Sequence, residues 1–262
     1  LKIACVYSDE REICNPTKPS PNCTKVNLVF KSPHPAIAMT ALSSISLLQQ
    51  ALPPQVRLIA VTKTIAPEII RQAYAAGIRD FAENRLQEAL PKMETLSDLS
   101  DITWHFIGHL QANKARKVVE HFPWIHSVDN LALLQRLERT AQELQRHPQA
   151  CLQVKLLPDP DKFGWSPAGL WSDLPAIEAC QTVQIRGLMT ILPLGLTPSQ
   201  QQATFASLRD LAAQLSNQSQ LSLTELSMGM SGDYPQAIAA GATMIRLGRV
   251  LFGERPPTPN PT

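Results

Sequence analysis

At 262 residues with 44% apolar content, the chain is long enough to bury a full core and short enough to form a single soluble, globular domain. Its formal net charge of +2 excludes a broad field for nucleic acid or an anionic membrane surface, so any anion site has to be local. Cys5, Cys14 and Cys23 lie in the first stretch and Cys151 and Cys180 stand alone without C-x-x-C spacing, which supports neither zinc nor a disulfide framework.

The stretch from Leu1 to Pro35 carries Pro16, Pro19, Pro21, Pro33 and Pro35 among polar residues, with no lasting hydrophobic period. Residues 1–37 therefore read as a disordered or artefactual extension. The first methionine, Met39, directly precedes the first amphipathic segment, and the natural start is expected at or near it. No signal peptide is recognisable, and no apolar run reaches the roughly 18 to 20 residues of a bilayer helix, so a cytoplasmic location is expected.

A leading helix is expected from about Ala38 to Ala51. After it, short β-rich runs alternate with segments of helical period. The strand candidates are Val56 to Thr62, Ile78 to Ala82, Thr103 to Ile107, Ile125 to Val128, Cys151 to Leu156, Ile185 to Met189, Leu223 to Leu226 and Thr243 to Leu247. The helix candidates are Pro67 to Ala76, Arg85 to Thr95, Lys114 to His121, Asn130 to Gln145, Ala168 to Ala179, Pro198 to Leu215, Tyr234 to Ala240 and a final turn around Arg249 to Phe252. Such alternation predicts a parallel α/β sheet with crossover helices, and eight strands suggest closure into a (β/α)8 TIM barrel over residues 38–255, followed by a proline-rich tail at 256–262. An open doubly wound sheet is the alternative, against which no G-x-G-x-x-G follows the first strand. Pro67, Asp129 before Asn130, and Thr197 with Pro198 read as helix starts. Gly77 and Gly241 sit where a helix end calls for positive φ.

In such barrels chemistry sits on the loops after the strands. Lys63 directly follows the first strand, where apolar surroundings would lower a lysine pKa and favour attack on a carbonyl. A solvated loop lysine is the bland alternative. Two loops late in the chain, L-S-M-G-M-S-G-D from Leu226 and T-M-I-R-L-G-R-V-L-F-G from Thr243, place glycines 229, 232 and 248 and the Ser231 hydroxyl where backbone N–H groups can meet an anion. Plain turn chemistry explains either loop alone; two such loops favour phosphate. Alternation can point Arg246 into the barrel, and a buried guanidinium is expected to face a carboxylate or a ligand atom.

The segments A-V-T-K-T, A-E-N-R-L-Q-E-A, W-H-F-I-G-H-L-Q-A-N-K, G-L-M-T-I-L-P, L-S-M-G-M-S-G-D and I-R-L-G-R-V-L-F-G occur in this order, and the chain from roughly Met39 to Glu254 resembles the YggS/PROSC family of pyridoxal phosphate homeostasis proteins. The resemblance implies a fold like the alanine racemase N-terminal barrel domain, with an extra N-terminal helix, and pyridoxal 5'-phosphate joined to Lys63 as a Schiff base. It further implies that Ser231 and the Gly248 and Arg249 amides hold the phosphate, with Gly232 a further contact, and that Arg246 faces the pyridine nitrogen. Asn84, His105 and Met228 match positions at the mouth. For His105, a strand histidine satisfied by hydrogen bonds is an equal reading. Residues Gln111 to Lys114 read as a helix start, and Lys162, which matches a family lysine, as a solvated loop residue. Many relatives carry a second lysine two residues after the cofactor lysine; here that position is Ile65, which puts any transfer step needing that amine in doubt.

An arginine facing the ring nitrogen favours holding the cofactor over turnover. Two positive charges about 4 Å apart cost roughly 4 kcal/mol at an effective dielectric near 20, or about 3 pKa units, so the nitrogen stays unprotonated and the ring is a weaker electron sink. The leading expectation is a non-catalytic, monomeric pyridoxal phosphate carrier in vitamin B6 and amino-acid homeostasis. Its further partners would be pyridoxal-phosphate-requiring apoenzymes or a regulatory protein, with no nucleic acid, membrane or metal. The alternative is a racemase of low activity with Lys63 and Tyr234 as opposing acid/base groups. A cofactor-free aldolase using Lys63 is a third class.

Overall fold

A computed structural model describes residues 45–253. The expectations for residues 1–37 and 256–262, and for the start of the leading helix, lie outside the described residues. Helix α1 is helical over 45–51. Eight strands follow: β1 (Arg57–Val61), β2 (Asp80–Glu83), β3 (Thr103–Phe106), β4 (Trp124–Val128), β5 (Gln149–Gln153), β6 (Gln184–Met189), β7 (Glu225–Ser227) and β8 (Met244–Leu247). Between them run α2 (Pro67–Ala75), α3 (Leu86–Thr95), a 3-10 turn (Ala112–Lys114) leading into α4 (Ala115–His121), α5 (Leu131–Leu144), α6 (Pro167–Glu178), α7 (Pro198–Gln218) and α8 (Tyr234–Ala239), with α9 (Arg249–Phe252) after β8.

The strands form a closed barrel in chain order, every pair parallel. Closure is made by β1 against β8, with Ile59 opposite Arg246 and Ala60 opposite Leu247, which removes the open-sheet alternative.

Strand alternation sorts side chains into two layers. Leu58, Ala60, Phe81, Ile125, Leu152, Leu188, Ile245 and Leu247 turn outward and pack under the helices with Ile70, Leu134, Leu137, Leu170, Ile177, Phe205 and Leu208. Ile59, Val61, Ala82, Trp124, Cys151, Met189 and Met244 turn inward and fill the lumen. Burial of each large apolar side chain stabilises by about 1.5–3 kcal/mol, so both layers hold the barrel. The outer layer also contains an ion pair: Lys92 of α3 donates to Glu83 Oε1 (2.7 Å) and to the Thr62 carbonyl (2.8 Å), while the Thr62 hydroxyl donates to the same carboxylate oxygen (2.7 Å).

The helices begin where the local chemistry allows. Thr197 and Gln200 form a reciprocal capping box, and Pro198 fills the first turn of α7. Asn130, rather than the expected Asp129, caps α5 by accepting from the Leu133 amide (2.8 Å). Asp129 is turned away because its two oxygens accept from Asn130 and meet His109 Nδ1 (2.9 Å). Gly77 and Gly241 have φ of 98° and 100°, the left-handed ends their positions call for.

Candidate functional site

Lys63 leaves the top of β1 half-buried. The next residue, Thr64, has φ of 65°, a conformation that a β-branched residue adopts only under constraint and that costs about 1–3 kcal/mol. Two hydrogen bonds hold it there. The Thr64 amide donates to Glu88 Oε2 of α3 (3.1 Å), and its hydroxyl donates to the Lys63 carbonyl (2.6 Å). The turn thus sets the direction in which Lys63 departs from the barrel wall.

Two strands away around the barrel, the loop after β7 turns at Gly229, with φ of 93°. A Cβ there would sit 2.6 Å from Cβ of Ala237, so both conformation and space require glycine. The chain then reaches Ser231 and Gly232, and the Val250 amide of α9 donates to Ser231 Oγ (3.4 Å), bringing the two late loops together. Asp233 closes the first loop by accepting from the Met230 amide (2.6 Å). Burial pushes its carboxyl above the usual range, opposed by that amide and by the charge of Arg246.

The lysine side and the two loops enclose one cavity of about 340 Å³, lined by Lys63, Ser231, Gly232, Arg246, Gly248 and Arg249 among others. That volume suits a small ligand. Another wall of the cavity is Ile191 to Gly195, after β6, in which Leu194 is fully exposed.

Arg246 projects from β8 into this cavity while almost wholly buried. It donates from Nη1 to Ser227 Oγ (2.6 Å) and from Nη2 to the Thr190 carbonyl (3.0 Å). Both of these hydrogen-bond partners are neutral. Burial pulls the guanidinium down to about 10, with Asp233 opposing. A carboxylate partner was one of two expectations for this residue; the structure instead leaves its charge directed at the cavity.

Beneath Arg246 the lumen turns polar. Ser227 Oγ lies 2.7 Å from His126 Nδ1, His126 Nε2 lies 2.9 Å from His105 Nδ1, and His105 Nε2 lies 2.9 Å from Asp80 Oδ1. Burial holds His126 well below the usual histidine range, helped by His105, Arg246 and Arg57. Burial also lowers His105, although Asp80 opposes the shift.

Of the residues predicted from sequence, Lys63, Ser231, Gly232, Arg246, Gly248 and Arg249 meet in the one cavity. The others lie elsewhere. His105 is inside the barrel, satisfied by His126 and Asp80. Met228 is fully buried in the outer apolar layer. Asn84 lines a separate opening of about 560 Å³ with Arg85, Glu88, His109 and Lys114. Tyr234 packs its ring against the outer layer and does not line the cavity. Lys162 lies outside it too.

Sequence reasoning missed Thr64, for which no residue-type signal exists. It also passed over the wall from Thr190 to Gly195, although the motif G-L-M-T-I-L-P ends there. Ser227, His126 and Asp80 could have been found by strand alternation, which places them inward with Arg246, Trp124 and Ala82.

The geometry can hold an anion among hydroxyl and backbone donors, present an amine to a carbonyl, and set a buried cation against a ligand acceptor. Residues 42–256 match the family model described as alanine racemase, N-terminal domain. The chain is 64% identical over 204 residues to the pyridoxal phosphate homeostasis protein of Synechocystis sp., covering 78% of this chain and 94% of that one. It superimposes on PipY of Synechococcus elongatus, solved with pyridoxal phosphate bound, with a TM-score of 0.79 at 58% identity, covering 81% of this chain and 100% of that one. Alanine racemase from Corynebacterium glutamicum shares the fold at 16% identity, with a TM-score of 0.68, over 83% of this chain and 62% of that one.

Proposed function

The chain belongs to the pyridoxal phosphate homeostasis protein family, and on that premise we propose that it binds pyridoxal 5'-phosphate covalently at Lys63 and holds it without turnover. The observation that carries this reading is the convergence of Lys63, the Ser231 and Gly248 loops, and Arg246 on a single cavity. The residues present fit the group: an amine for the aldehyde, a hydroxyl with glycine-flanked amides for the phosphate, and a buried cation for the ring nitrogen. When bound, pyridoxal phosphate supplies an aldehyde that condenses with a neutral amine and a ring that withdraws electrons from that carbon.

The protein's own contribution is to place and restrain. Thr64 fixes where the Lys63 stem leaves β1. Ser231 and the Gly248 and Arg249 amides offer donors to the phosphate. Arg246 would present positive charge to the ring nitrogen of a bound cofactor, which would disfavour a proton there and with it the electron-sink chemistry of turnover. Among the described residues lining the cavity there is no tyrosine, histidine or cysteine to act opposite Lys63. Against the racemase alternative, Tyr234 packs against the outer apolar layer and does not line the cavity.

Borohydride reduction of the loaded protein is expected to fix the cofactor on Lys63, as read by peptide mass, and Lys63→Ala is expected to lose the adduct while keeping weaker, phosphate-dependent binding. An adduct that persists on another residue would overturn the assignment. Exchange of the α-hydrogen of amino acids in deuterium oxide above the rate of free cofactor, lost in Tyr234→Phe, would restore the racemase.

A further inference from the structure

TIM barrels fill their lumen with branched apolar side chains, yet one column of this lumen carries Arg246, Ser227, His126, His105 and Asp80. An unpaired buried polar group costs about 1–3 kcal/mol, so a polar column persists only if every member is satisfied. With Asp80 ionised and both rings neutral, the hydrogen bonds have one consistent direction. A guanidinium can only donate and an ionised carboxylate can only accept. Asp80 takes the proton of His105 Nε2, which leaves His105 Nδ1 to accept from His126 and His126 Nδ1 to accept from Ser227 Oγ, and Ser227 in turn accepts from Arg246. His126 then carries its proton on Nε2 and donates to His105 Nδ1, and His105 carries its proton on Nε2 and donates to Asp80. Both rings are then of the same tautomer, and burial favours their neutral form. A second proton on His105 would set two N–H groups against each other across the 2.9 Å contact unless His126 moved its own proton to Nδ1, which reverses the bond to Ser227.

The two ends open on opposite faces of the barrel. Arg246 lines the mouth cavity. Asp80, the first residue of β2, lines an opening of about 360 Å³ with Gln49, Pro53, Pro54 and Gly77, and its side chain is 22% exposed. Trp124 stacks on His105 with centroids 5.9 Å apart and planes 16° apart, holding that ring in register. The other charged or titratable groups around the column are Arg57 of β1, ion-paired with Glu225 of β7 at 3.8 Å, Cys151 of β5 and Asp233 before α8.

We propose that Ser227, His126, His105 and Asp80 act as a positioning relay for Arg246, a one-way hydrogen-bond chain by which a carboxylate at the far face orients and counterbalances the cation presented to the mouth cavity. What this does to a bound ring rests on the placement of Arg246 given above; the chain itself does not. Nitrogen-15 NMR of the protein without added pyridoxal phosphate, at pH 7.5, is expected to show both imidazoles protonated at Nε2 alone. Protonation of either ring at Nδ1, or an imidazolium, overturns the relay, and this measurement needs no variant.

Asp80→Asn is then expected to move the His126 and Arg246 guanidinium resonances as well as those of His105, with Asp80→Glu restoring them. A response confined to His105 overturns the relay in favour of a local structural role. With pyridoxal phosphate bound, the pH midpoint of its optical band is expected to move lower in Asp80→Asn, because an opposing negative charge is gone; an unmoved midpoint overturns the relay's reach to the cavity. Absence of any cofactor band in the unsubstituted protein would instead sink the proposed function, while the NMR result still decides the relay.

Discussion

The lumen of the barrel and the layer between sheet and helices are made by the same eight strands, residue by residue in alternation, yet they are built differently. Outside, Leu58, Phe81, Ile125, Leu188 and Ile245 meet helix residues such as Ile70, Leu134 and Phe205, and the Glu83–Lys92 pair is the one ion pair buried among them among the described residues. Inside, Ile59, Val61, Cys151, Met189 and Met244 share the space with a chain of polar groups from Arg246 to Asp80. Apolar contacts are non-directional, so the outer layer can absorb a change of shape by repacking. A hydrogen-bond chain whose direction is set by its ends has no such slack.

The sharpest way to break this contrast is at the buried ion pair of the outer layer. Lys92→Met leaves Glu83 buried with its counter-ion gone, and is expected to cost about 3–5 kcal/mol in urea denaturation. Adding Glu83→Met should recover most of that loss. A double variant no more stable than the single one would show that the outer layer is as intolerant as the lumen.

The lumen itself is tested by acid. His105 and His126 have folded pKa values lowered from 6.5, so they stay neutral where the unfolded chain takes up protons. Their contribution is complete above about pH 6.5 and is lost as pH falls below it, by up to about 1.4 kcal/mol per pH unit for each ring. Denaturation midpoints measured from pH 7 to pH 5 should fall accordingly, and His126→Gln should reduce the slope. A flat profile would mean that the rings charge freely in the folded protein.

The smallest effect belongs to the outer surface. Thr197→Ala removes the capping box of α7 and is expected to cost about 1 kcal/mol with no change in cofactor binding. A lowered affinity for pyridoxal phosphate would tie that distant helix start to the mouth.

The fold was legible because its signals are local and repeated: every strand and helix follows from periodicity, and Thr197, Gly77 and Gly241 mark ends by residue type. The cavity's donors were legible for a related reason, since glycines, a serine and an inward arginine at strand ends have few other uses in that pattern. Asp129 misled because two neighbouring residues had equal capping chemistry, and only the proximity of His109 decided between them. Met228 was drawn toward the mouth by its motif, although it follows inward Ser227 directly and so falls on the outward side. The left-handed Thr64 had no signature, because its conformation is imposed by Glu88, which only the folded barrel brings near. His126 carried the right parity but needed His105 and Ser227, from strands far apart in sequence, to gain meaning.

The closure of β1 on β8 also has a consequence for the order of events in the cell. Lys63 follows the first strand and Arg246 lies in the last, and Ile59 stands opposite Arg246 across the seam. As the chain leaves the ribosome, the amine is among the first parts of the barrel to appear and the cationic floor among the last. Contacts so distant in sequence form late, because the loop they close is long. The cavity that brings Lys63 and Arg246 together therefore does not exist on a partial chain that lacks β8.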